Sequence, residues 1–201
     1  MRAREELGAL SLQNTEEPTI TGLLVMRARE LTEMDDADPW MEHLEILDDP
    51  PQNDSSDRLG KARPRIDIEF VETKKGKRPR FHIEAKRLYR SDSINEYFIE
   101  GGLGMFLKGA YASDWPSAGM IGYVQTKNCS HWQSAISKSL AIRKRKTNSC
   151  VDQPQWGPVG WKTEGLTEVH ETCHERVPVT LGRIKIFHLL LDFTGTVAPS
   201  K

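Results

Sequence analysis

The sequence predicts a single mixed domain of the α/β or α+β class, on three observations. Several short segments alternate apolar and polar residues as half-buried strands do, and others repeat apolar residues at the three-to-four spacing of helices. No internal repeat or low-complexity linker divides the chain. Its 201 residues are enough for one domain with a core of its own.

In chain order, residues 14–34 read as a first helix. Asn14 or Thr15 can cap it, Glu16 and Glu17 suit its positive end, and Pro18 is tolerated in the first turn. Ile20, Leu23, Leu24 and Leu31 supply its apolar face. Residues 41–47 form a candidate strand, followed by a polar loop at 48–57. Residues 65–71 and 80–88 alternate in character across a Lys/Gly/Pro connection, which is a hairpin pattern. Two helical pieces follow, interrupted at Gly101–Gly102, and Leu103, Phe106, Leu107, Ala110 and Tyr111 have the spacing of a core-facing stripe. Residues 120–125 read as a buried strand. Trp132, Ala135, Ile136 and Leu140 mark another amphipathic helix whose last turn carries residues 143–146, where cations suit the helix dipole. Residues 147–165 form an ordered loop, in which Trp156 and Trp161 serve more readily as anchors than as base-stacking platforms. Segments 169–177 and 184–193 are the closing strands.

Composition narrows the classes of function. With 37% hydrophobic and 28% charged residues the chain is not a disordered polymer, and no apolar run approaches the roughly 20 residues of a membrane span. The first ten residues lack the apolar stretch of a secretory signal. Cys129, Cys150 and Cys173 make neither a disulfide framework nor a CxxC knuckle, so a reducing, cytoplasmic setting is expected. The net charge of −1 announces no nucleic-acid binder, but basic residues cluster at 61–65, 74–80 and 143–146. A one-sided basic surface attracts phosphate even at neutral total charge, which makes Arg65, Lys77, Arg78, Arg80, Arg143 and Lys144 candidate backbone contacts. Taken singly, each run is more simply a solvated face.

The hairpin carries the chemistry. Alternation puts Arg65, Asp67 and Glu69 on one face of the first strand, and His82, Glu84 and Lys86 on one face of the second. A turn centred on Lys75–Gly76 pairs Phe70 with Phe81, Ile68 with Ile83 and Ile66 with Ala85, so every apolar residue meets an apolar partner. The same register sets Asp67 opposite Glu84. Two facing carboxylates repel unless neutralised, and a magnesium ion, hard and oxygen-seeking, needs only one or two of them beside water and phosphate. Lys86, two residues past Glu84 on that face, could orient or help deprotonate an attacking water and offset charge on a phosphorane. The plain alternative is a solvated, salt-bridged strand face.

With Ile66-Asp67-Ile68 on one strand and Ile83-Glu84-Ala85-Lys86 on the next, the chain resembles the PD-(D/E)XK nuclease superfamily, and among its members the small nucleases of prokaryotic defence islands. The resemblance runs from the first helix to the strand at 120–125. It departs in one respect: the proline expected just before the aspartate is absent, and Pro64 stands three residues earlier. The resemblance implies a restriction-endonuclease-like mixed sheet of about five strands with helices on both sides. It also implies cleavage of DNA, or less often RNA, dependent on Mg²⁺ or Mn²⁺. Asp67 and Glu84 become metal ligands, Lys86 the catalytic lysine, and Glu17, or else Glu16, a further acid from the first helix. By the same analogy the partners are nucleic acid, a second copy of the chain, and a targeting protein such as an ATPase or sensor in anti-phage defence.

Other motifs compete. His170-Glu171-Thr172-Cys173-His174 spells HExxH, but Glu175, Arg176 and Pro178 suit a zinc helix badly, so a strand or turn whose histidines face solvent or phosphate is expected. Gly101-Gly102-Leu103-Gly104 lacks the GK[ST] of a phosphate loop and reads as a helix break with close packing. His82 is placed either to touch the site or to bond a neighbour such as Glu69, while His43, His131 and His188 show no ligand spacing. The rival functions are a catalytically silent nucleic-acid or protein-binding module and, further off, a zinc hydrolase.

Overall fold

The structure, a computed structural model, describes residues 12–52, 63–74, 76, 78–99, 101–147, 157–158, 169–177 and 179–195, with side chains excepted for 143–147 and 157–158. Seven strands among them form one mixed sheet: β1 (Leu44–Asp48), β2 (Ile68–Glu72), β3 (Arg80–Leu88), β4 (Ser117–Val124), β5 (Gly157–Pro158), β6 (Val169–Glu175) and β7 (Arg183–Asp192), in the order β1-β2-β3-β4-β7-β6-β5. The three central strands β3, β4 and β7 run parallel, and the pairs outside them are antiparallel. The sheet is wider than about five strands because all six segments read as strands pair. The two-residue β5, too short for any periodicity, adds an edge.

Helices cover both faces. Helix α1 (Glu17–Thr32) packs Ile20 and Val25 against Ile46, Ile68, Ala85, Ile121, Tyr123 and Leu191. Helices α2 (Ser93–Phe98), α3 (Leu103–Leu107) and α4 (Cys129–Thr147) pack Tyr97, Phe106, Trp132 and Ile136 against Leu88, Met120, Val124, Ile184, Ile186 and Leu190. Central β4 is buried from Ala118 to Val124, as a parallel strand covered on both sides must be. The break between α2 and α3 is steric: Gly101 has φ +84°, and a Cβ on Gly102 would collide with the Tyr97 carbonyl. Among the described residues no helix is long and apolar enough to cross a membrane.

Two local expectations are corrected. Helix α1 starts at Glu17, capped by Glu16 with no side-chain cap bond, not at Asn14 or Thr15. Glu16 instead pairs with the Arg87 guanidinium, while Gln125 donates to the Leu12 and Thr15 carbonyls; long-range partners outweigh the local cap. The β2–β3 register pairs Phe70 with Phe81 and Ile68 with Ile83 as expected, but the ladder stops there. Residues 64–67 turn toward β1: Ile66 N donates to the Pro50 carbonyl, Asp49 N to the Asp67 carbonyl and Gln52 N to the Pro64 carbonyl. Ile66 therefore leaves Ala85 and packs in the cluster on the opposite face.

Candidate active site

That bend decides how Asp67 enters the site. It does not stand as a ladder partner of Glu84, as the register alone suggested. Its side chain takes up the vacated donor, Oδ2 accepting from Ala85 N at 2.6 Å. The carboxylate is thereby pinned at the end of the ladder, beside the strand face that carries Glu84 and Lys86.

Lys86 gathers the acids. Its Nζ donates to Glu84 Oε1 at 2.7 Å, to Glu17 Oε1 at 3.1 Å and to the Ala85 carbonyl at 2.6 Å, and lies 3.9 Å from Asp67 Oδ2. Glu17 comes from the first turn of α1 and is fixed by its other oxygen, which accepts from Arg87 N at 3.0 Å. Arg87 in turn donates to Gln125 Oε1 at 2.7 Å and lies over the Tyr89 ring. The start of α1 is thus clamped to the ends of β3 and β4. Exposure grades outward, with side-chain values of 5% for Glu84, 13% for Lys86, 24% for Glu17 and 28% for Asp67. Glu84 is the floor, and Asp67 and Glu17 form the rim.

The face is buried rather than solvated, and the electrostatics follow. Burial, opposed by Lys86 and reinforced by Asp67, pushes the Glu84 carboxyl up to about 8. Burial also raises Asp67, against the pull of Lys86 and the Ala85 hydrogen bond. For Lys86, burial works against the charge, but Glu84, Glu17 and Asp67 together outweigh it and hold the ammonium above the ordinary lysine range. Three carboxyl groups face one ammonium, so the acids outnumber the base that could neutralise them. Glu84 Oε2 is buried with no hydrogen-bond partner among the described residues.

An unsatisfied carboxylate oxygen in an acid-rich, all-oxygen donor set fits a hard divalent cation held by one or two protein carboxylates. It does not make a closed cage: among the described residues no group of three or more His, Cys, Asp or Glu side chains converges as a metal-holding set. Glu17 is turned onto Lys86 and Arg87 N rather than onto Asp67 and Glu84.

The other expected residues are distributed as follows. His82 Nε2 lies 3.2 Å from Glu69 Oε1, and the Arg80 guanidinium donates to that same oxygen at 2.6 Å, so Arg80 is an ion-pair partner of a buried acid. Arg65 donates to Asp49 Oδ2 at 2.6 Å. Arg78 is exposed beside the hairpin turn, whereas Lys77 and the side chains of Arg143 and Lys144 lie outside the described residues, as do Trp156 and Trp161. The HExxH segment forms strand β6, so the zinc-helix arrangement is not made. Its histidines do not face outward as expected. Thr172 Oγ1 is 2.7 Å from both His174 Nε2 and His188 Nε2, and His188 Nδ1 is 2.8 Å from the Tyr97 hydroxyl. A strand buried against a helix layer turns alternate residues inward whatever their polarity.

Two residues at the site escaped the sequence reading. Asp49, in the left-handed region at φ +49°, ties its N–H to the Asp67 carbonyl and its carboxylate to Arg65. Tyr111, counted there as a core residue, has a hydroxyl within the fields of Glu84, Lys86, Asp67 and Asp49. The Gly101 turn also lies against Lys86, a Cβ there reaching 3.9 Å from Lys86 Cε. Helix periodicity assigned Tyr111 to a face but could not report what its far end meets. No family model, characterised protein or solved structure matches this chain.

Proposed function

We propose that this chain is a divalent-metal-dependent nuclease of the PD-(D/E)XK type, hydrolysing phosphodiester bonds in DNA. The observation that carries the reading is the convergence of Asp67, Glu84 and Glu17 within 4 Å of a single buried ammonium, Lys86 Nζ. Structural salt bridges are balanced; this cluster carries surplus acid and an unsatisfied carboxylate oxygen, both of which a cation would relieve.

Asp67 and Glu84 would hold Mg²⁺ or Mn²⁺, which when bound lowers the pKa of water and polarises a phosphoryl oxygen. Lys86 keeps its proton, because the surrounding carboxylates hold it above the ordinary range. It therefore serves as a fixed positive charge that orients the nucleophile and offsets charge on the phosphorane, rather than as a base. Glu17 positions that ammonium from the rim. A second copy, or a partner such as an ATPase or sensor of a cytoplasmic anti-phage system, supplies targeting.

The test is cleavage of plasmid, linear DNA, single strands and RNA in Mg²⁺ or Mn²⁺ by wild type, Asp67→Asn and Lys86→Ala. Losing one charge-stabilising donor costs about 10²- to 10³-fold in turnover, and both variants should fall by at least that. Cleavage that persists in both would assign the activity to another site. A chain that binds but never cleaves would be the silent module.

A further inference from the structure

Resting on the nuclease reading, we propose that His82 Nδ1 is a ligand to the divalent ion of this site, beside Glu84 Oε2, and gives it a preference for Mn²⁺ over Mg²⁺. Unmet bonding capacity concentrates on β3. His82 Nδ1 and Glu84 Oε2 are both buried with no hydrogen-bond partner among the described residues. The two residues are only 2% and 4% exposed. Alternation along β3 puts them on one face at successive positions, about 7 Å apart along the strand. They do not bond each other, and no β2 residue pairs with Glu84, because the ladder ends at the Ile68–Ile83 pair. What satisfies both atoms has to lie between them.

The imidazole is prepared for this by the residue behind it. His82 Nε2 lies 3.2 Å from Oε1 of Glu69, its direct partner across the ladder. A carboxylate oxygen only accepts, so Nε2 holds the ring proton and Nδ1 keeps a lone pair. Glu69 is 1% exposed, and Arg80 matches its charge at 2.6 Å, so the ring is not required as a counter-ion. A carboxylate behind an imidazole is the arrangement that fixes the tautomer and orientation of a metal-ligating histidine. Lys86 does not relieve Glu84 Oε2, because its Nζ is committed to Glu84 Oε1, Glu17 and the Ala85 carbonyl. A cation between Nδ1 and Oε2 satisfies both atoms and offsets acids that outnumber their one ammonium. A water would satisfy the two atoms and leave the surplus acid in place. Among the described residues no three such side chains converge, so the centre stays open to water and phosphate. Imidazole suits first-row transition ions while Mg²⁺ keeps to oxygen, hence the preference.

The experiment loads the full chain with one equivalent of Mn²⁺ and records its electron spin-echo envelope modulation, beside calorimetric titrations with Mn²⁺ and with Mg²⁺. Wild type is compared with His82→Phe, which keeps a ring at that position and leaves Glu69 paired with Arg80. Wild type should show modulation from a directly bound ¹⁴N, replaced by the ¹⁵N pattern when its histidines are labelled. His82→Phe should lose that modulation and bind Mn²⁺ at least about 10-fold more weakly, with a smaller loss for Mg²⁺. Mn²⁺ bound to wild type without nitrogen modulation overturns the inference, assigns a water to the pair and leaves the nuclease reading standing. So does modulation that persists in a folded His82→Phe. Should that variant fail to fold, labelled wild type beside Glu84→Gln decides: nitrogen modulation kept without the Glu84 carboxylate belongs elsewhere and overturns the inference, and its loss supports it. Wild type that binds neither ion and cleaves no nucleic acid sinks the nuclease reading and this ligand together.

Discussion

One register row crosses the sheet through Glu84, Met120, His188 and His170, and its two ends treat buried polarity in opposite ways. On the β2–β3 side acidic groups outnumber the one ammonium they face, and Glu84 Oε2 lacks a hydrogen-bond partner among the described residues. On the β6–β7 side the groups are neutral and linked: Tyr97 to His188, His188 to Thr172, Thr172 to His174. Each hydroxyl or ring in that chain can accept on one side and donate on the other, so it closes in either direction. Burial of a polar side chain therefore does not mark a site. Surplus charge marks it, and the Tyr97–His188–Thr172–His174 chain carries none.

The sharpest way to break this comparison is with acid. Burial holds His174 down to about 4, from an ordinary 6.5, and lowers His188 and His170 in the same direction. Between those values the unfolded chain binds more protons than the folded one. The stability that neutral His174 contributes is complete above pH 6.5 and is lost as pH falls toward 4. A shift of that size corresponds to about 3 kcal/mol at the acid limit. Denaturant unfolding of wild type and His174→Gln across that window isolates it, because carboxylates titrating over the same range cancel in the difference. A constant difference from neutral to acid pH would show that His174 is solvated and the chain is not closed.

A somewhat smaller effect comes from cutting the chain at its centre. Thr172→Val keeps shape and removes the hydroxyl that two imidazoles share, which should cost about 2 kcal/mol at neutral pH. For a chain of this size that lowers the thermal midpoint by roughly 4–8 °C. Nicking measured well below the midpoint should be unchanged, since Thr172 sits across the sheet from Lys86. A variant that stays stable but loses activity would make the histidine end part of the site, and the contrast would collapse.

Much of this was legible in the sequence, and the remainder was hidden for definable reasons. Six strands, the helix break at Gly101–Gly102 and the Phe70–Phe81 and Ile68–Ile83 pairs follow from alternation and turn chemistry, which are local. Glu84 and Lys86 share a face as alternation suggested, Asp67 joins them through Ala85 N rather than through the ladder, and Glu17 meets Lys86 as the resemblance implied. What escaped depends on contacts far apart in the chain. The bend at Asp67 is imposed by residues 49–52, and the start of α1 by Arg87 and Gln125. The His188–Thr172–His174 chain needs β6 and β7 to pair before it exists.

The gentlest test asks whether the acid end has an open valence in the folded protein without any catalysis. A ligand that binds only the folded state raises stability by RT ln(1 + [L]/Kd), about 1.4 kcal/mol when its concentration is ten times Kd. For a domain of this length that amounts to a midpoint rise of roughly 3–6 °C. Mg²⁺ or Mn²⁺ should raise the wild-type midpoint by that order, and Asp67→Asn and Glu84→Gln should abolish the rise. Thr172→Val should keep it in full, since the neutral end offers no anionic oxygen. Screening alone cannot mimic the pattern, because an equal ionic strength of Na⁺ weakens exposed charge pairs generally and does not discriminate between the two ends. If the divalent ion shifts all variants alike, the surplus acid around Lys86 is balanced by the protein itself, and the two ends of the sheet differ in composition but not in kind.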